Sequence, residues 1–376
     1  MKIVTKTGIV ILGLLATNAY AQGARSVSMG GVGVATAKYM QAPLHNPALL
    51  DLGKYESQAA VTFPTISFNG EDGGDLVAHV DDFQQLYEKR TDVTLDAWQQ
   101  ALKSLENNDL AVDAQAAVVL SIPNNTVSFA LFSKANFQGL AYSDVDSRDY
   151  APDPKDSLYS TVTGVLAGTV DVGLTLAREV ATGLTVGISP KFQHIVALQY
   201  KESLATYDSS DFKADEEFKS KNVFNVDIGV LYKPNANTSI GFSAFNLIPN
   251  ELNTNQPLAK TIGKYSTYSV EPQYKIGFGY VFSEQLTVAV DYDLNKSQPF
   301  SNIDYKKQFI NLGTEFDIND WFAVRAGFKH SLTDDVSDQL SLGTGFKFTD
   351  NFGLDVAATG GRNNNFGGAA QLSFWF

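Results

Sequence analysis

The sequence has no cysteine, only four histidines, and 28 basic residues against 41 acidic ones. Without cysteine there is no disulfide framework, no thiolate metal site and no thiol nucleophile. His45, His79, His194 and His330 are scattered, with none of the spacings that metal ligation uses. A net charge of −13 runs against the clustered basic residues that phosphate contacts require, so nucleic acid is not an expected partner. Long apolar runs are missing as well. A transmembrane helix takes about 20 apolar residues, and no segment beyond the N-terminus approaches that. Residues 1–21 read as an export signal: Lys2 and Lys6, a short apolar core from Ile9 to Ala16, and an Ala19-Tyr20-Ala21 cleavage site. If an exported chain of this kind sits in a membrane, it must cross it as strands.

What the sequence has is alternation. In the last ten residues Ala370, Leu372, Phe374 and Phe376 are apolar, while Ala369, Gln371 and Ser373 between them are small or polar. Period two is the mark of a strand with one greasy and one wet face. In a soluble sheet such a strand would be a sticky edge, whereas a closed barrel pairs it on both sides. Leu372, Phe374 and the terminal Phe376 resemble the C-terminal signal that the barrel-assembly machinery of outer membranes reads.

The same pattern runs from Asn222 onward. One face carries Phe224, Val226, Ile228, Ile276, Phe278, Val290, Leu312, Phe316, Leu340, Leu342 and Phe374, and no charge. The other carries Asp227, Lys275, Asp291, Asp293, Glu315, Arg325, Lys329 and Gln371, with repeated glycines from Gly229 to Gly353. A charge on a lipid-facing strand position costs about 2–4 kcal/mol at mid-membrane for Arg or Lys, so lipid selects this segregation. Glycines weaken strands, and their repetition on the wet face suggests close approach of another segment. Short turns such as Pro123-Asn124-Asn125 and Ser283-Glu284-Gln285 alternate with longer loops at 138–158, 201–221, 248–271, 296–306, 332–337 and 361–366. This spacing gives about fourteen strands, an even number as bacterial barrels require. The first strand, Ser57 to Phe68, switches parity at Pro64, which reads as a kink. Between 69 and 110 the rhythm turns helical, with Val80, Phe83, Leu86 and Tyr87, then Trp98, Ala101, Leu102 and Leu105.

Residues 22–55 fit neither period. Gly30, Gly31 and Gly33 stand among small residues, and Asn46-Pro47-Ala48 closes the segment. Asn46 and Pro47 also suit an ordinary helix start, as cap and first residue. A dinucleotide fingerprint does not fit, because Thr36 replaces the third glycine and no strand precedes it. A small-residue, glycine-rich segment followed by Asn-Pro-Ala-Leu resembles the hatch of the FadL family, outer-membrane channels for long-chain fatty acids and other hydrophobic compounds. The whole chain is also similar to the TraF-like group within that superfamily, named for plasmid transfer. The resemblance implies a hatch at 22–55 plugging an all-β, antiparallel transmembrane barrel at 56–376, with a helical first extracellular loop at 69–110.

Chemistry is sparse. Gly187-Ile188-Ser189 lacks the last glycine of a nucleophile elbow, and His194 on the same strand would not converge on Ser189. Asp144, Asp146 and Asp149 begin like a calcium loop but lack its glycine and closing glutamate. No enzyme activity, cofactor or metal is expected. Arg25, Lys191, Lys275, Arg325 and Lys329 point into the lumen, to meet a ligand carboxylate or to pin the hatch through ion pairs. The expected protein is a monomer of the bacterial outer membrane, in contact with lipid and lipopolysaccharide. The resemblance implies passive uptake of hydrophobic, fatty-acid-like molecules through the plugged lumen. The TraF-like alternative is a structural or surface role in conjugal plasmid transfer.

Overall fold

The computed structural model describes residues 23–56, 58–106, 108–151, 158–207, 218–257 and 265–376. The export signal read at 1–21 lies outside the described residues, as do parts of the loops read at 138–158, 201–221 and 248–271. Among the described residues, two short helices precede the first strand, α1 (Ala24–Ser28) and α2 (Ala42–His45), with tighter 3-10 turns at Tyr39–Gln41 and Pro47–Tyr55. The strands follow: β1 (Ala60–Asp72), β2 (Asp109–Ile122), β3 (Ser128–Asp144), β4 (Thr161–Ala181) and β5 (Leu184–Ser203). Next are β6 (Lys219–Tyr232), β7 (Thr238–Phe245), β8 (Asn250–Pro257), β9 (Tyr265–Val270), β10 (Gln273–Val281) and β11 (Leu286–Asp293). The last are β12 (Phe309–Asn319), β13 (Phe322–Ser331), β14 (Gln339–Thr349), β15 (Phe352–Gly361) and β16 (Phe366–Trp375).

Fourteen of these close into an antiparallel barrel, with β1 against β16 at the seam and β7 against β10. The seam extends past the last strand, because Phe376 exchanges both backbone hydrogen bonds with Ala59. The face reading holds. Leu340 and Leu342 are about two-thirds exposed, at 65% and 67%, while Asp227 and Glu315 on the inner face are 0% and 6% exposed. Aromatics near the short turns touch ring to ring, Trp321 to Phe322, Phe322 to Phe346, Phe348 to Phe352 and Phe352 to Phe374, at 5.0–5.7 Å. Such a belt suits a membrane interface.

Pro64 sits where predicted. Both ladders of β1 break register between Thr62 and Thr65, so Phe63 and Pro64 point outward in succession while Thr62 and Thr65 point inward. The helical excursion is shorter than the 69–110 reading. Residues 69–72 continue β1 and 109–110 open β2, because their backbones pair in the ladder. The helices are α3 (Leu76–Glu88) and α4 (Leu95–Ser104), whose buried Phe83 and Trp98 rings meet at 5.1 Å. Trp98 Nε1 donates to the Asp149 carbonyl, and the Asp149 carboxylate accepts from the backbone of Tyr159 and Ser160. Asp149 thus joins the two, its carbonyl holding the helices through Trp98 and its carboxylate holding residues 159–160.

The loop read at 248–271 contains β8 and β9, a separate hairpin that is not part of the barrel wall and packs against its inner face. Thr254 reaches Gln199 on β5, and Leu252, Tyr268 and Val270 pack with Ile195, Ala197 and Phe300. β8 is Asn-rich and lacks alternation, so that half of the hairpin offers no strand signal of its own.

Candidate lumenal site

Residues 24–55 fill the lower lumen, and the glycines explain how they fit. Gly187 and Gly229 are paired across β5 and β6, Gly241 and Gly277 across β7 and β10, and Gly313 and Gly327 across β12 and β13. A Cβ at Gly327 would strike the backbone of Met29 and Gly30, one at Gly313 would strike Met29, and one at Gly229 would strike Asn46. The hatch thus lies backbone-on-backbone against the wall. Gly345 and Gly353 differ: they make room for the Arg325 guanidinium and the Trp375 ring. In the hatch itself Gly30 and Gly31 hold φ of 71° and 94°, the left-handed region that side chains avoid. Gly33 leaves space for the buried His45 ring.

The hatch is bound polar group by polar group on β11 to β15. Arg25 grips Glu315 through two bonds of 2.8 and 2.6 Å and donates a third to the Thr36 carbonyl. Arg325 bonds the same Glu315 and reaches Asp355 at 2.6 Å. One Asp291 oxygen accepts the backbone N–H groups of Gly33 and Val34 at 2.7 and 2.9 Å. Ser341 accepts from the Gly30 N–H. Asn46 has the capping role its sequence allows, accepting from the Ala48 N–H ahead of the turn that Pro47 begins. Its amide also donates to the carbonyls of Val34 and Val230, tying hatch to wall. On β2 to β6 the contact is mainly apolar: Leu44, Ala48, Leu49 and Leu50 pack on Ala117, Val119, Phe132 and Leu231, with Lys54 on Glu179 and Asp51 on Ser128 beyond them.

Above the hatch is a chamber of about 180 Å³, floored by Val27 and roofed by Tyr268 to Glu271 of the hairpin and its following loop. Of the five cations expected to face the lumen, only Lys275 and Lys329 line it. Arg25 and Arg325 are spent on Glu315, and Lys191 lies between Asp171 and Asp227 at 3.1 and 2.9 Å. Lys307, Asp113 and Phe309 also line the chamber and were not predicted. Lys307 belongs to a loop, and its partner Asp113 lies 194 residues away in the chain, so no local pattern marks them. Among the described residues, no group of histidine or acidic side chains could hold a metal ion.

The fold is that of a closed fourteen-stranded antiparallel β-barrel with its N-terminal segment packed against the inner wall. The structure is similar to the toluene transporter TbuX of Ralstonia pickettii (14% identity, TM-score 0.58, covering 95% of this chain and 98% of that one). It is also similar to the CymD monoaromatic hydrocarbon channel (13%, 0.59, 96% and 98%) and to a FadL homologue of Pseudomonas aeruginosa (12%, 0.56, 94% and 98%). At such identities the likeness speaks for architecture. No curated relative matches the sequence. The family model described as "F plasmid transfer operon, TraF, protein" matches residues 43–293, from the hatch to the end of β11, and the chain belongs to that family.

Proposed function

We propose that this protein is an outer-membrane channel admitting small organic molecules through the chamber above its hatch. The observation carrying this reading is that chamber, set directly over a hatch that polar contacts hold on β11 to β15. The fold shared with hydrocarbon channels supports passive passage. The lining argues against long-chain fatty acids. A long alkyl tail would strip water from amides, lysines and carboxylates without replacing their hydrogen bonds. Small solutes that keep some polarity fit better.

The experiment is uptake by liposomes carrying the purified protein, using toluene, small organic acids and a long-chain fatty acid. Small solutes should enter faster than into empty liposomes, with the fatty acid showing little gain. Rates equal to empty liposomes for the whole panel would sink the channel reading. A mating defect on deletion, together with that result, would favour the rival role in plasmid transfer.

A further inference from the structure

Three lysines and two aspartates face the chamber walls, and they do not cancel in pairs. Lys307 meets both Asp113 oxygens at 2.9 Å, and Lys275 meets Asp293 at 2.8 Å. Lys329 has no carboxylate within ion-pair distance among the described residues, and its ammonium sits 5.3 Å from the centre of the Phe309 ring. The other acid at the chamber, Glu271, is exposed to solvent at the mouth. A second, independent feature points the same way. Asn136, Gln138 and Asn311 line the chamber almost wholly buried, at 6%, 3% and 2%, and each has a side-chain carbonyl oxygen with no partner. Buried polar groups are normally satisfied, so such amides call for a hydrogen-bonding occupant. Each amide can present either end, since oxygen and nitrogen interchange by a flip.

We propose that the chamber binds a small organic carboxylate bearing further hydrogen-bonding groups, with Lys329 taking the carboxylate. Phe309, under the ammonium, supplies an apolar face for the ligand body, and the amides take its hydroxyls. Charge-assisted hydrogen bonds are the strong ones, so the acid should outbind its neutral isostere. This inference deepens the channel reading by naming the substrate class.

The test is equilibrium dialysis of the detergent-solubilised full-length protein with 4-hydroxybenzoate and 4-hydroxybenzamide as probes. The acid should bind about tenfold or more tightly than the amide, and Lys329→Gln should remove that difference. Lys54→Gln, at the far end of the hatch, should leave it intact. Equal binding of acid and amide by the unaltered protein, or an unchanged preference in K329Q, would overturn the inference. So would inorganic phosphate displacing the acid at equal concentration, which would mark a bare anion site. Because binding is read separately from liposome uptake, the channel reading can survive this failure, and the reverse.

Discussion

The two walls of the barrel hold the hatch with a different balance of apolar and polar contact. On β2 to β6 the hatch buries Leu44, Leu49 and Leu50 against alanines, Val119 and Phe132, a contact that gains nothing from entering water. On β11 to β15 it is held by Arg25 on Glu315, by Asp291 on two backbone amides and by Ser341 on a third. Each of those groups can trade its partner for water, so the net value of each bond is modest while leaving a charge unpaired is costly. The contrast identifies an anchored half, residues 44–50, and a latched half, residues 25–34. If the hatch moves to pass a solute, the latched half is the one that moves.

The largest effect tests the fit common to both halves. Gly327→Val pushes a branched side chain into the backbone of Met29 and Gly30, which the wall cannot move without breaking its ladder. The latched half should be expelled and become cleavable by added protease in the folded barrel. Gly164→Ala is the control, since nothing lies within 4 Å of its added carbon. Continued protection of the hatch in G327V would mean that close approach does not hold it.

A pair of substitutions then separates the halves. Glu315→Gln leaves the Arg25 and Arg325 cations facing an amide, and breaking such a buried pair costs roughly 3–5 kcal/mol. Leu49→Ala, in the anchor, costs about 2–5 kcal/mol through lost burial and the cavity left behind. Hydrogen exchange read by mass spectrometry should rise at 25–36 in E315Q with 44–50 unchanged. In L49A the rise should centre on 44–50. Equal patterns in the two variants would dissolve the distinction between latch and anchor.

The anchored wall and the latch differ also in how far the sequence foretells them. Alternation yields the barrel because lipid contact imposes one rule on every outward position, as at Leu340 and Leu342. The paired glycines foretell a close neighbour because a missing Cβ is visible wherever the chain is read, and the parity switch at Pro64 foretells the register break. The latch has no such signature. Arg25 and Glu315 stand 290 residues apart, and nothing local distinguishes Glu315 from other inward acids. The same holds for the chamber. Whether an inward lysine is free or paired depends on neighbouring strands, which is why Lys191 and Lys329 look alike in sequence and differ in the fold. Strand β8 was invisible because its burial comes from the inner wall of β5 rather than from its own alternation.

The smallest expected effect lies at the joint between the halves, and it is the most discriminating. Asn46 caps the turn that begins at Pro47, and its amide also bonds Val34 in the latched half and Val230 on the wall. Loss of a cap costs about 0.5–2 kcal/mol, too little to unfold a barrel. Asn46→Ala should therefore leave the barrel folded while freeing the Val34 carbonyl. Asn46→Asp keeps an acceptor for the Ala48 N–H but cannot donate to either carbonyl when ionised. If the joint works through its cap, the aspartate should restore protection at 47–50 and the alanine should not. If it works through its donors, both variants should loosen 33–36 alike, and exchange at Val34 should follow the amide rather than the turn. No change at 33–36 in either variant would show that Asp291 and Arg25 hold the latched half without help from Asn46, so that the two halves are joined by the chain alone.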